Sequence, residues 1–225
     1  MGAPAVQNRF EMLLGGDALR WQMRLEPEYV PSGIAEIDRA TGGIPRGALT
    51  EIVGPVSSGR TSLLLSILAG ATAREEICAV VDAEDCFSPH AAEDAGVELS
   101  RLFWVRCVHN AEQALKAADL LIQGGGFGIV VLDLGDTPPP TARRISLTSW
   151  FRLRRAVEPT STVLISVSQE PNARTCASLV LECARKGAGW SGNRGVSRLL
   201  RTIESCARTT YRRKQCLPVF TARVI

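Results

Sequence analysis

Gly54, Gly59, Arg60 and Thr61 stand together in the stretch EIVGPVSSGRTSLLL. Two glycines at this spacing make a loop whose backbone N–H groups turn inward onto a phosphate chain, at the positive end of the helix that follows. Gly54, Pro55, Ser57, Ser58, Gly59, Arg60, Thr61 and Ser62 are therefore the candidate nucleotide-binding residues. The Thr61 hydroxyl suits a Mg²⁺ ion. The position before that threonine calls for lysine, and this chain has Arg60. Arginine keeps the charge and can pair two oxygens, but its planar fork is wider than an ammonium. The expectation is Mg²⁺-dependent ATP binding with slow or undetectable turnover, because hydrolysis depends on geometry more than binding does.

A metal held by Thr61 needs an acid at the end of a neighbouring strand. Asp133 closes the apolar run IVVLD and is the candidate; Asp136 is a weaker one. VVDAED places Asp82, Glu84 and Asp85 at the end of another apolar run, where ligands of open α/β sheets bind. The seven cysteines include no C-x-x-C pair, and His90 and His109 are the only imidazoles. That argues against a zinc site or a disulfide framework and for reduced thiols.

These side chains need strands that end where the loops begin. ALTEIV (48–53), ICAVVD (77–82), LFWVRC (102–107), GIVVLDL (128–134) and TVLISVS (162–168) read as strands, several of them continuous apolar runs. Helices alternate with them. One follows the glycine loop. A second has Ser88 as N-cap, Pro89 at the first helical position and Gly96 as terminator. A third starts at Asn110, with Gln113 in capping-box spacing. A fourth covers 142–157. The alternation predicts an α/β fold, a mostly parallel sheet with helices on both faces. Beyond Gln169 the pattern weakens: 178–186 reads as a strand, and the rest holds two strands or a helix and a strand, leaning toward strands.

Residues 1–31 are expected to form a helical lead-in, apolar at Val6, Phe10, Leu13, Leu14, Leu19 and Trp21. Residues 32–225 form a single core with a basic C-terminal segment from about 185. The net charge is +3, yet the segment from Arg185 carries +9 and the preceding 184 residues −6. Such a segment suits a polyanion or an acidic protein. Arg194, Arg198, Arg201, Arg212, Arg213 and Lys214 are its candidate nucleic-acid contacts, with Arg174 a further candidate and Trp190 one for base stacking. No apolar run is long enough to span a bilayer and no signal peptide precedes the core, so a cytoplasmic protein without a membrane partner is expected.

PSGIAEIDRATGGIPRGALTEIVGPVSSGRTSLLL, ICAVVDAEDCFSPHAAEDAGV, NAEQAL and GIVVLDLGD resemble successive segments of the RecA recombinase core. The resemblance implies a RecA-like phosphate-loop fold with C-terminal antiparallel strands, ATP and Mg²⁺ as cofactors, a site at a subunit interface of a homo-oligomer, and single-stranded DNA as partner. It makes Glu84 the water-positioning glutamate, Asp133 the Mg²⁺-associated acid and Gln169 the glutamine that senses the terminal phosphate. Arg60 departs from the pattern, and EPNARTCA (170–177) is too short for the glycine-rich DNA loop of a recombinase. These departures are similar to the ImuA family, RecA-related accessories of damage-induced translesion synthesis. That likeness implies a polymerase-cassette partner of ImuB type, or RecA itself. The alternative is an active single-stranded-DNA-dependent ATPase of recombinational repair.

Overall fold

The computed structural model describes residues 28–191, 199–211 and 220–224, with side chains to 187. Their order is β1 (Tyr29–Val30), α1 (Ala35–Thr41), β2 (Ile44–Pro45), β3 (Ala48–Val53), α2 (Arg60–Ala73), β4 (Cys78–Asp82), α3 (Pro89–Asp94), β5 (Leu102–Arg106), α4 (Ala111–Gly124), β6 (Ile129–Asp133), α5 (Pro139–Ala142), α6 (Leu147–Val157), β7 (Val163–Ser168), β8 (Leu179–Ser191), β9 (Leu199–Tyr211) and β10 (Phe220–Val224). Short β1 and β2 pair with each other. The other eight strands form one sheet in the order β10-β9-β8-β3-β7-β6-β4-β5. The six from β8 to β5 are parallel. β9 and β10 extend the sheet by antiparallel pairing. Of the helical lead-in expected over 1–31, residues 1–27 lie outside the described residues, and Tyr29–Val30 form a strand rather than helix.

The continuous apolar runs become strands buried on both faces, because each face carries its own core. Leu63, Leu64, Ile67 and Leu68 of α2 pack with Ile52, Val80, Val131 and Ile165 on one face. Ala114, Ala118 and Ile122 of α4 and Trp150, Leu153 and Val157 of α6 pack with Leu49, Val81, Leu132 and Leu164 on the other. The spacing of those helical residues makes one apolar stripe per helix. The Ser88 hydroxyl accepts from the Ala91 N–H at 3.3 Å and the Asn110 side chain from the Gln113 N–H at 3.0 Å, so both N-caps act as the sequence suggests.

The helix expected over 142–157 starts only at Leu147, and the short α5 comes before it. Prolines start α5, and Ser146 caps a new helix by accepting from the Ser149 N–H at 3.2 Å. Arg143, Arg144 and Ile145 turn between them. At the amino ends of the strands, Arg46 donates to the carbonyls of Ser161 at 3.0 Å and Gly128 at 3.5 Å and pairs with Glu76 at 2.8 Å. One guanidinium thus ties together the segments entering β3, β4, β6 and β7.

Candidate functional site: the phosphate loop and its surroundings

β3 ends at Val53, and the chain turns so tightly at Gly54 that a Cβ there would lie 2.3 Å from the Cys183 carbonyl of β8. Gly59, at φ 95°, takes the left-handed conformation that side chains resist and starts α2. The first helical bond runs from the Leu63 N–H to the Gly59 carbonyl at 3.0 Å. The N–H groups of Arg60, Thr61 and Ser62 are then the free first-turn donors of a 14-residue helix. The Ser58 hydroxyl beside them is buried with no hydrogen-bond partner. An orphan polar atom under free N–H donors fits a phosphate chain.

Arg60, Thr61, Asp133, Gly135 and Asp136 line a cavity of about 160 Å³ together with Leu64, Leu65, Phe87 and Ala91. Pockets that enclose a drug-sized ligand run to about 300–1,000 Å³. This cavity therefore suits the phosphate and metal end of a nucleotide. Thr61 and Asp133 are the residues that would hold Mg²⁺, whose positive charge would neutralise the negative charge of a phosphate chain. Burial pushes the Asp133 carboxyl up to about 6. The Gly135 N–H, donating at 2.8 Å, pulls the other way, Asp82 and Asp136 raise it further and Arg60 lowers it. A cation at this carboxylate meets the same need that Arg60 meets in part.

Arg60 does not reach out of the loop. It is 6% exposed, and its Nη1 donates to the Gly135 carbonyl at 3.1 Å, bridging 75 residues. Gln169 Nε2 donates to the same carbonyl at 3.4 Å. The two residues expected to handle phosphate therefore meet on one backbone oxygen, in the turn that follows Asp133.

Glu84 is not among the residues lining the phosphate-loop cavity. Its Oε2 is 2.6 Å from His109 Nδ1. Asp82, fully inside, accepts from the N–H groups of Glu84 at 3.1 Å and Phe87 at 2.8 Å and from Trp104 Nε1 at 3.3 Å, so it shapes the turn after β4. Asp85 pairs with Arg106, whose guanidinium holds the Asp85 carboxyl below its usual range.

Arg194, Arg198, Arg212, Arg213 and Lys214 lie outside the described residues; Arg201 falls on β9 and Trp190 on β8, with their side chains outside the description. A basic surface does occur among the described residues. A cleft of about 600 Å³ between the N-termini of α4 and α6 is lined by Lys116, Arg144, Arg152 and His109. A second hollow of about 350 Å³ adjoins it at Arg144 and adds Arg143, Asn172 and Arg174. Glu112 lines the first, Asp119 pairs with Arg152 at 3.3 Å, and Glu170 pairs with Arg143.

Sequence reading passed over Glu51. This carboxylate lies inside the central strand, and its Oε1 accepts from the N–H groups of Asn172 at 2.8 Å and Ala173 at 2.9 Å, fixing the connection after Gln169. The available signal was an acid in the apolar run ALTEIV, since a buried carboxylate must find donors.

A parallel sheet with a glycine loop between its central strand and a helix, and with an acid on a nearby strand end, defines a nucleotide-binding domain of the phosphate-loop class. Residues 11–142 match the RecA N-terminal domain, and the chain belongs to that family. It is 34% identical over 161 residues to Protein RecA of Mesorhizobium japonicum, covering 64% of this chain and 44% of that protein. It is 34% identical over 164 residues to Protein RecA of Deinococcus radiodurans, covering 66% and 45%. Over 158 residues it is 34% identical to Protein RecA of Methylococcus capsulatus, covering 63% and 45%. The chain spans less than half the length of these curated relatives. Among the described residues no helix is long and apolar enough to cross a membrane.

Proposed function

We propose that the chain is a RecA-type nucleotide-binding module of DNA repair that binds ATP with Mg²⁺ and turns it over slowly. The observation that carries this reading is the convergence of Arg60, Thr61 and Asp133 on one cavity, with Gln169 joined to it through Gly135. Slow turnover follows from two features. The Arg60 guanidinium is committed to a backbone carbonyl, and Glu84 is committed to His109. Single-stranded nucleic acid is the proposed polyanion, its phosphates held in the cleft of Lys116, Arg144 and Arg152 and at Arg174. A homo-oligomer is the proposed means of completing the small cavity around the rest of the nucleotide.

Within this class, an ImuA-type accessory of translesion synthesis is the finer proposal. Its support is the arginine in the loop and the brevity of the connection 170–177, which Glu51 pins to the central strand. The partners are then an ImuB-like polymerase-cassette protein or RecA. The test is calorimetry of ATP with and without Mg²⁺ on the wild type and Thr61→Ala, with phosphate release measured with and without oligo-dT. Mg²⁺-dependent binding that Thr61→Ala weakens, with slow release, supports the reading. Fast release that requires oligo-dT makes the chain a recombination ATPase instead. Absence of ATP binding overturns the nucleotide reading. Co-purification with the ImuB-like protein of the same genome tests the finer assignment.

A further inference from the structure

We propose that His109 is a relay: a polyanion in the basic cleft draws its imidazole off Glu84 and frees that carboxylate for the nucleotide site. This deepens the reading above and rests on it.

The pair spans two environments. The Glu84 side chain is 13% exposed and that of His109 73%. His109 lines the cleft together with Lys116, Arg144 and Arg152, while Glu84 sits where β4 runs out toward the phosphate-binding end of the sheet. A carboxylate only accepts, so the imidazole Nδ1 donates to it. Among the described residues His109 is the side-chain partner of Glu84. The nearby charges are engaged or face the cleft. Asp85 is taken by Arg106, Asp82 by its three donors, and Glu112 lines the cleft itself.

The segment carrying the ring is held in an unusual backbone. Val108 at φ 43° and His109 at φ 59° are successive non-glycine residues in the left-handed region. They are kept there by the Cys107 N–H on the Asp82 carbonyl at 2.9 Å and the Asn110 N–H on the Ala83 carbonyl at 3.2 Å. Strain held by its surroundings favours a second arrangement once a bond is lost. Phosphate oxygens offer the imidazole N–H a competing acceptor in the cleft, and Lys116 and Arg144, with Arg152 held by Asp119, favour an anion over the Glu84 carboxylate. Glu84, released, is free to turn toward the nucleotide. His109 acts through Glu84 and is a positioning residue.

The chain has two histidines, so an imidazole ¹⁵N spectrum of the full chain resolves His109 against His90. Glu84→Gln should shift His109 alone. Oligo-dT should shift His109 and leave His90 in place. Arg144→Glu should weaken oligo-dT binding, read by anisotropy, about tenfold and move the midpoint of the His109 shift to a correspondingly higher oligo-dT concentration. In turnover, oligo-dT should raise the slow rate of the wild type without making it fast, and His109→Ala should reach that raised rate without oligo-dT, its ATP affinity held within about twofold. The double variant His109→Ala with Glu84→Gln should lose that gain. The relay is overturned if oligo-dT binds and His109 does not shift, or if His109→Ala is stimulated as the wild type is. Failure of the parent reading shows separately, as absent ATP binding in calorimetry or absent oligo-dT binding in anisotropy. Absent oligo-dT binding overturns the relay as well.

Discussion

Replacing Arg60 by lysine should move stability and turnover in opposite directions. Arg60 is 6% exposed, and its guanidinium donates to the Gly135 carbonyl at 3.1 Å. A hydrogen bond from a charged donor in such a place contributes about 1.5–3 kcal/mol. Lysine keeps the charge but cannot reproduce the fork, so Gly135 is left with the longer 3.4 Å bond from Gln169. For a domain of this size each kcal/mol moves the melting temperature by about 2–4 °C. Arg60→Lys should therefore melt about 3–12 °C below the wild type in the absence of nucleotide. The same change releases a compact ammonium to the phosphates, so ATP turnover should rise. Thermal melts followed by circular dichroism and phosphate release on the same preparations read both effects. Melting within a degree or so of the wild type would refute the anchoring role of Arg60. A destabilised lysine variant with unchanged turnover would refute the link between that anchor and slow hydrolysis.

Three further outcomes are expected. Burial raises the Glu51 carboxyl above its ordinary 4.5, against the pull of the Ala173 and Asn172 N–H groups. The folded chain therefore holds a proton that the unfolded chain releases, and stability falls as pH rises from about 4.5 through the raised value. Glu51→Gln keeps the acceptor and removes the titration, so its melting temperature should gain on the wild type as pH rises through that window; a constant gap would contradict the assignment. Arg144→Ala and Arg174→Ala should each lower the salt slope of oligo-dT binding by about 0.7, read by anisotropy across salt concentrations. Trp150→Ala should cost about 3–5 kcal/mol in chemical denaturation, because the ring is fully buried between α6 and the sheet.

What the sequence discloses follows from the range of each interaction. β3 and β7 are short, largely apolar stretches of β-branched and aliphatic residues, and ALTEIV and VLISVS mark their own boundaries. Ser88 and Asn110 cap helices through bonds only three residues long, which local spacing reveals. Ser146 carries the same local signal, yet the long apolar periodicity across it masks the break between α5 and α6. The partners of Arg60, Glu84 and Glu51 lie 75, 25 and 121 or more residues away. Their residue types mark them as chemically able, but only the folded sheet decides which oxygen each one meets.

Arg46 has a mechanical meaning. The strands behave as the ribs of a fan, clasped near the handle where one guanidinium gathers Ser161, Gly128 and Glu76. The rim of the fan, where the phosphate loop, the turn at Gly135 and the connection 170–177 lie, is fastened bond by bond. A rim segment can then be shortened, or refitted to a different partner, while the clasp keeps the ribs in register. A family built on such a frame can trade its surface loops from one member to the next and keep its nucleotide site in place.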